Sequence, residues 1–296
     1  MKAQVLHNIA DIRYEGAAKP RLKKGWVLVK VMAAGVCGSD IPRIYKTGAH
    51  VHPLIPGHEF SGHVVEVYDD TASRWIGKRV GVFPLIPCGE CECCQKKQYE
   101  MCSHYNYLGS RCDGGFAEYV AVPEWNLIEL PDNVTYEQAA MMEPMAVAVH
   151  ALRQFDISRN INVCVIGLGT IGLLLTMFLK EMGIEHISVI CNKEKQKANA
   201  MKLGIYEDDI YMVSGNGLTP CLTILSALAT ITAVFPEPAT DIIHTCPSML
   251  LIASVCSLLY STFLYPPYLS CMYVKICPLN NVFSSYRLFI LHTYVK

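Results

Sequence analysis

The chain has 296 residues, of which 17% are charged and 52% hydrophobic, and its formal net charge is −1. A near-neutral chain without a run of Lys or Arg has no general attraction to phosphate backbones, which argues against a nucleic-acid partner. The N-terminus carries charge at Asp11, Arg13 and Glu15 and lacks the apolar core of a signal peptide. We therefore predict a cytoplasmic protein, in which clustered thiols are more often metal ligands or catalytic groups than disulfides.

Short β-like runs broken by Gly and Pro fill the first half of the chain. They cover residues 26–35, 59–67, 78–84 and 114–122, and a stretch of more helical composition follows at 135–152. We predict a β-rich domain with long functional loops over residues 1–150.

The pattern then changes to that of a doubly wound parallel sheet. Residues 161–183 have the pattern of a buried strand, a glycine turn and a long apolar helix, and a second strand (186–191) and a charged helix (193–204) follow. The sequence thus predicts an α/β fold, with a partial Rossmann domain over residues 151–213.

Residues 214–296 have a different composition, with only five charged residues and no glycine after Gly217. Within them, residues 248–274 have the length and apolarity of a membrane span, which needs about 20 residues. The alternatives are a buried hydrophobic segment or a sequence that never evolved to fold in this frame. We favour an aberrant, poorly ordered tail of a truncated or frame-shifted gene product, which leaves the activity of the chain in question.

Glycines at 167, 169 and 172 form the pattern G-x-G-x-x-G between a predicted strand and a predicted helix. The first glycine allows the tight turn, the second allows backbone to approach a pyrophosphate, and the third allows close helix packing. The alternative is a glycine-rich turn with no ligand. The predicted cofactor-binding residues are Gly167, Leu168, Gly169, Thr170, Ile171, Gly172, Asn192 and Lys193.

The acidic residue that holds the ribose of NAD is missing at the end of the second predicted strand, where Cys191, Asn192 and Lys193 stand. A cation at this place favours the 2′-phosphate of NADP. Lys193 could supply that cation, or it could be a solvated residue of the helix's first turn. NAD and NADP both stay open.

Four cysteines, Cys88, Cys91, Cys94 and Cys102, have the spacing C-x2-C-x2-C-x7-C. Such a loop can bring four thiolates to one tetrahedral Zn²⁺, and because all four positions are filled the ion is structural. A disulfide cluster is disfavoured in the cytosol, and iron–sulfur centres have other spacings.

A second, mixed set of metal-binding residue types comprises Cys37, His58, Glu59 and Glu143. A thiolate, an imidazole and a carboxylate make a zinc site that leaves a position for water or a substrate oxygen. Each residue also has an ordinary interpretation as a buried thiol, a core histidine or an exposed acid, and the spacing does not decide between them.

Together, the stretches "CGSDIPRIYKTGAH", "GHEFSG", "GSRCDGGFAEY" and "EPMAVAVHA" resemble the zinc-containing medium-chain dehydrogenase/reductase family. Within it they are most similar to the polyol branch of sorbitol-type and galactitol-1-phosphate 5-dehydrogenases. The resemblance extends from residue 1 to about residue 210. It implies a GroES-like catalytic domain, a Rossmann domain that binds NAD or NADP, an active site between them, and a homodimer or homotetramer.

The resemblance also implies roles for individual residues. Cys37, His58 and Glu143 match the catalytic zinc ligands, Glu59 matches the adjacent carboxylate, and Ser39 matches the hydroxyl that takes the alcohol proton. Cys88, Cys91, Cys94 and Cys102 match a structural zinc lobe, so two Zn²⁺ per chain are expected. The implied reaction is hydride transfer from a polyol or polyol phosphate to a nicotinamide.

Arg43, Lys46 and Arg111 are the basic candidates near these motifs for a substrate phosphate. The chain departs from the family at Tyr68, where a small residue is usual, at Cys112, and in the missing cofactor acid. The contrasting hypothesis is a non-catalytic, zinc-stabilised fragment or a binding protein tethered to a membrane through the apolar tail.

Overall fold

The computed structural model describes residues 1–154, 157, 161–213 and 290–292. They divide into two units between Ala146 and Val147, four residues before the predicted domain boundary. The predicted apolar tail and its candidate membrane span, 248–274, lie outside the described residues, except for residues 290–292. Within the described part of the chain, no helix is both long and apolar enough to cross a membrane.

The first unit is built mainly of antiparallel strands. Its strands are β1 (Lys2–Asn8), β2 (Asp11–Gly16), β3 (Trp26–Gly35), β4 (Glu59–Val67), β5 (Arg79–Val82), β6 (Leu85–Ile86), β7 (Asn106–Tyr107), β8 (Tyr119–Pro123) and β9 (Leu127–Glu129). Its helices are α1 (Asp40–Pro42), α2 (Glu92–Gln95), α3 (Tyr136–Ala140) and α4 (Met142–Arg153), the last of which crosses the boundary. Irregular helical turns lie at Arg43–Thr47, Asp70–Trp75, Tyr99–Met101 and Glu124–Asn126.

A five-stranded antiparallel sheet in the order β8-β3-β4-β5-β9 forms the centre of this unit. β-branched residues dominate its core because they pack well on a pleated surface. Val27, Val29 and Val64 are at most 1% exposed and pack with Phe60 and Val80. The last residue of β3, Gly35, pairs with the first residue of β4, Glu59, so the loop that follows β3 and the residues that precede β4 meet at one edge of the sheet.

The predicted strands at 26–35 and 59–67 coincide with β3 and β4. Two others are shorter than predicted: β5 ends at Val82, and β8 begins only at Tyr119. The preceding Gly114 and Gly115 instead donate backbone hydrogen bonds to Ile55 and Gly57. The helical stretch at 135–152 divides into α3 and α4.

The second unit contains a parallel sheet flanked by helices. Its elements are β10 (Asn162–Ile166), α5 (Thr170–Glu181), β11 (His186–Cys191), α6 (Glu194–Lys202), a short turn at Glu207–Asp209, β12 (Ile210–Met212) and β13 (Ile290–His292). The strand order is β12-β11-β10-β13 and all three pairings are parallel. β10 is therefore an inner strand, although the sequence predicted no strand beyond residue 213.

Candidate metal and nucleotide sites

Three potential metal ligands from the first unit lie together and are called here the mixed cluster: Cys37, His58 and Glu59. One donor atom from each lies within 4.8 Å of the other two. The β3–β4 pairing explains this, because Cys37 follows β3 whereas His58 and Glu59 stand at the beginning of β4. His58 and Glu59 are only 4% and 7% exposed.

Gly35 leaves the space that the carboxylate of the mixed cluster occupies. A Cβ atom at this position would lie 2.5 Å from Oε2 of Glu59, well inside van der Waals contact. The glycine at the end of β3 thus allows Glu59 to point toward Cys37 rather than away from it.

Asp40, which was not predicted as a site residue, contacts both Cys37 and His58 of the mixed cluster. It is fully buried; its Oδ2 accepts the backbone N–H of Cys37 at 3.1 Å, and its Oδ1 accepts a 2.6 Å hydrogen bond from Arg43. The same Oδ1 lies 3.5 Å from Nδ1 of His58, a buried atom with no closer partner among the described residues. A carboxylate beside the second ring nitrogen is the usual support of a metal-binding histidine, which leaves Nε2 for the metal.

The electrostatics of the mixed cluster favour charge on the imidazole. Burial lowers the pKa of His58, but the neighbouring Asp40 and Cys37 outweigh it and raise the pKa to about 10. Burial raises the pKa of Glu59, and the charge of His58 opposes that shift. A divalent cation could replace this proton, because the acidic neighbours that stabilise the charged imidazole would also stabilise a metal ion.

Glu143, predicted as the third zinc ligand, is not part of the mixed cluster in this structure. It lies in the first turn of α4, and its Oε1 accepts a 3.2 Å hydrogen bond from the hydroxyl of Tyr107. The Tyr107 ring in turn lies edge to face with His58 at 5.9 Å. The structure thus groups Glu59 directly with Cys37 and His58, and ligation by Glu143 stays a prediction.

Ser39, predicted to take the alcohol proton, lies against the mixed cluster. Its hydroxyl donates to Sγ of Cys37 at 3.3 Å. The hydroxyl is therefore next to a potential metal-ligand atom, which is where a proton-accepting group for a bound alcohol would be needed.

The four predicted structural ligands, Cys88, Cys91, Cys94 and Cys102, also lie together and are called the thiol lobe. Their sulfurs are mutually within 4.8 Å. The lobe contains α2 and the turn Tyr99–Met101, and the β6–β7 pair closes it at its base. Cys93 is not among the four.

Backbone N–H groups point at the sulfurs of the thiol lobe. Cys88 donates to Sγ of Cys102 at 3.3 Å, and Cys91 donates to Sγ of Cys88 at 3.4 Å. Backbone hydrogen bonds lower the pKa of Cys91 to about 5 and also lower the pKa of Cys102, whereas burial raises the pKa of Cys94 to about 12, a cost that a bound cation would offset. Because thiolates are the form that binds zinc, this surrounding fits a four-sulfur zinc site.

Both clusters have the dimensions of a zinc site. Zinc bonds of about 2.0–2.3 Å place the donors of a tetrahedral site within about 4 Å of one another. The donors of the mixed cluster and the thiol lobe already lie within 4.8 Å, so only a small contraction is needed around an ion.

The predicted dinucleotide turn connects β10 to α5 in the second unit. Gly167 has a φ of 90°, in the left-handed region that favours glycine. A Cβ at Gly172 would lie 1.9 Å from the carbonyl oxygen of Gly167, whereas one at Gly169 would meet nothing within 4 Å. Gly172 is thus required for packing, and the open space beside Gly169 suits an approaching pyrophosphate.

Among the remaining predicted cofactor residues, Leu168 is 1% exposed and belongs to the core, Thr170 is exposed, and Ile171 is half-buried. Asn192 and Lys193 are both exposed at the end of β11.

The three basic candidates for a substrate phosphate have different surroundings. Arg43 is tied to Asp40, and its side chain is 18% exposed. Lys46 is exposed. Arg111 stacks 4.4 Å above the ring of Tyr105.

Comparison with known proteins finds similar dehydrogenases. The alcohol dehydrogenase GroES-like domain family matches residues 23–132, and galactitol 1-phosphate 5-dehydrogenase of Escherichia coli K12 is 38% identical over 205 residues. The matched part of the chain belongs to the zinc-containing medium-chain dehydrogenase/reductase family. The predicted α/β fold, with a GroES-like and a Rossmann part, is thereby confirmed.

Other members of the dehydrogenase/reductase family give the same result. Sorbitol dehydrogenase of Bacillus subtilis is 32% identical over 211 residues. The crystal structure of galactitol-1-phosphate dehydrogenase from Escherichia coli aligns with a TM-score of 0.66 at 34% identity, over 78% of this chain and 66% of that one. The matches cover 69% of this chain but only 59% of the length of both curated relatives.

Proposed function

We propose that this chain is a zinc-dependent, nicotinamide-linked dehydrogenase that oxidises a secondary hydroxyl of a polyol or polyol phosphate to a ketone. The mixed cluster carries the proposal, because a thiol, an imidazole and a carboxylate lie within 4.8 Å of one another. Such a set leaves a coordination position for a substrate oxygen, whereas four thiolates do not.

Each residue of the mixed cluster has a task in this proposal. Cys37, His58 and a carboxylate hold Zn²⁺, which supplies a Lewis acid that lowers the pKa of an alcohol. Asp40 keeps the imidazole in the required orientation. The hydroxyl of Ser39 would accept the proton of the alcohol and release its own proton outward to solvent, and the nicotinamide would accept the hydride.

Several further features belong to the same proposal. We propose two Zn²⁺ per chain, one in the mixed cluster and one in the thiol lobe, and NAD or NADP at the glycine turn. We also propose that the eight predicted residues bind the cofactor and that Glu143 is an additional zinc ligand. The boundary between the two domains is proposed at residue 150. We also propose a cytoplasmic location and a homodimer or homotetramer, as the family resemblance implies.

A phosphate on the substrate is proposed because the similar Escherichia coli protein is named for galactitol 1-phosphate. Arg111 supports this, since its guanidinium is held over Tyr105 with nitrogens left for a further acceptor. Replacing Arg111 with Ala should erase a preference for the polyol phosphate over the free polyol. The same change at exposed Lys24, which is not among the three basic candidates, is the control.

The test is purification of the full chain, zinc quantification, and a screen of polyols and polyol phosphates with NAD⁺ and NADP⁺. Two zincs per chain and reduction of one cofactor are expected. Two bound zincs without reduction of either cofactor by any polyol would contradict the dehydrogenase proposal while leaving both metal sites intact.

A further inference from the structure

The carboxyl end of β11 is where a doubly wound sheet distinguishes NAD from NADP. About 20 residues after the glycine turn, an acidic residue normally accepts the ribose hydroxyls of NAD. In this chain β11 ends at Cys191, 19 residues after Gly172, and α6 begins at Glu194. The residues between them decide which ribose fits.

No carboxylate occupies the end of β11 itself. Cys191 is 2% exposed, and its Sγ lies 3.2 Å from the sulfur of Met212, so this side chain is turned toward β12 and away from a ribose. Two acids of the turn Glu207–Asp209, which follows α6, already have partners within the second unit. Glu207 pairs with Lys197 at 2.6 Å, and Asp209 accepts a 3.4 Å hydrogen bond from Ser188.

The first exposed cation after β11 is Lys193, which is the residue before the first turn of α6. Its backbone is extended, and its side chain does not cap the helix. Unlike Lys197, Lys193 forms no ion pair with another described residue. Its ammonium group and the uncapped N–H groups of α6 together offer donors and positive potential to an anion.

We propose that the nucleotide of this chain carries a 2′-phosphate, so that NADP is preferred over NAD, with Lys193 as the residue that selects it. The inference rests on the proposed function, because it requires a nucleotide at the glycine turn. Exposed Asn192 lies beside Lys193 and adds an amide donor to the same phosphate. The rival arrangement is acceptance of the ribose hydroxyl by Glu194, in the first turn of α6, which would favour NAD.

The test measures binding of two adenosine probes to the full-length chain by calorimetry, so it needs neither zinc chemistry nor turnover. The probes are adenosine 2′,5′-bisphosphate and 5′-AMP, which differ only in the 2′-phosphate. The bisphosphate should bind at least about tenfold more tightly, the size of one hydrogen bond between charged groups. The difference should shrink at high salt.

Three substitutions in α6 and at the residue before it assign the effect. Lys193→Ala should remove most of the advantage of the bisphosphate and change binding of 5′-AMP by less than about twofold. Lys202→Ala, an equally exposed lysine at the other end of α6, should change neither. Glu194→Gln should leave the affinity for 5′-AMP unchanged if Lys193 is the selecting residue.

The outcomes separate this inference from the proposed function. Equal binding of both probes, or a loss of 5′-AMP binding in Glu194→Gln, overturns the NADP preference and leaves the dehydrogenase proposal standing. An undiminished preference for the bisphosphate in Lys193→Ala overturns the assignment to Lys193. Binding of neither probe overturns both the NADP preference and the nucleotide site on which the proposed function depends.

Discussion

The mixed cluster and the thiol lobe both depend on cysteine, but they are assembled in opposite ways. The lobe draws its four sulfurs from residues 88–102, a single loop with two short helical turns. The mixed cluster joins Cys37 to residues 58 and 59 through the β3–β4 pairing. We therefore expect the lobe to depend on a metal for its folding, whereas the mixed cluster is held by the sheet and could leave a coordination position open for chemistry.

The largest effect should come from Cys37→Ser, which removes the thiolate of the mixed cluster. We expect turnover to fall by more than about 1000-fold, because serine is a poor zinc ligand and the Lewis acid is lost. Zinc content should drop from two to one per chain, with the remaining ion in the thiol lobe. Cys93→Ser, which lies outside both clusters, should retain both zincs, and near-normal activity of Cys37→Ser would contradict the catalytic assignment.

Breaking the thiol lobe should affect stability rather than chemistry. Cys94→Ser should lower the free energy of unfolding by about 3 kcal/mol, because the lobe has little core without its metal. Chemical denaturation followed by tryptophan fluorescence measures this loss, with Cys93→Ser as the neighbouring control. A stability equal to that of the control would mean that the lobe folds without metal.

Metal binding to the mixed cluster should be strongly pH-dependent. Because the pKa of His58 is raised to about 10, the imidazole carries a proton at pH 7 that a metal must displace. The affinity should increase as pH rises from 7 toward 10, by up to about tenfold per unit for one proton. Calorimetry in buffers of different ionisation enthalpy counts the protons released, and zero protons released would contradict a protonated imidazole at His58.

The smallest effect should follow Asp40→Asn, which keeps the shape of the support behind His58 but removes its charge. The affinity of the mixed cluster for zinc should fall about tenfold, as is typical for a supporting carboxylate. The thiol lobe should keep its affinity, since Asp40 does not touch it. Competition with a chromogenic chelator measures the two affinities separately, and an equal loss at both sites would indicate general destabilisation.

Sequence alone predicted the thiol lobe well because its ligands are close together along the chain, so spacing determines geometry. It could not choose between Glu59 and Glu143, which come from β4 and α4, because only tertiary structure sets their distance from Cys37. Asp40 was missed for a related reason. Its only sequence signal is a carboxylate three residues after a ligand, and nothing in the sequence shows that this side chain is fully buried.

The elements of the Rossmann part were predicted for residues 161–213 because apolar strands and the glycine turn have strong local signals. β13 was not, because three residues inside an apolar stretch carry no periodicity. β13 is placed by its pairing with the edge of β10, and the sequence of residues 290–292 does not reveal that pairing.

The four-residue ribbon of β6 and β7 adjoins both candidate metal sites of the first unit. It forms the base of the thiol lobe, and its last residue, Tyr107, lies against His58 and holds Glu143. We therefore expect the two candidate sites to be coupled, because a shift of this ribbon would also move Tyr107 relative to His58. A larger thiophilic cation such as cadmium in the thiol lobe should then weaken metal binding in the mixed cluster without entering it.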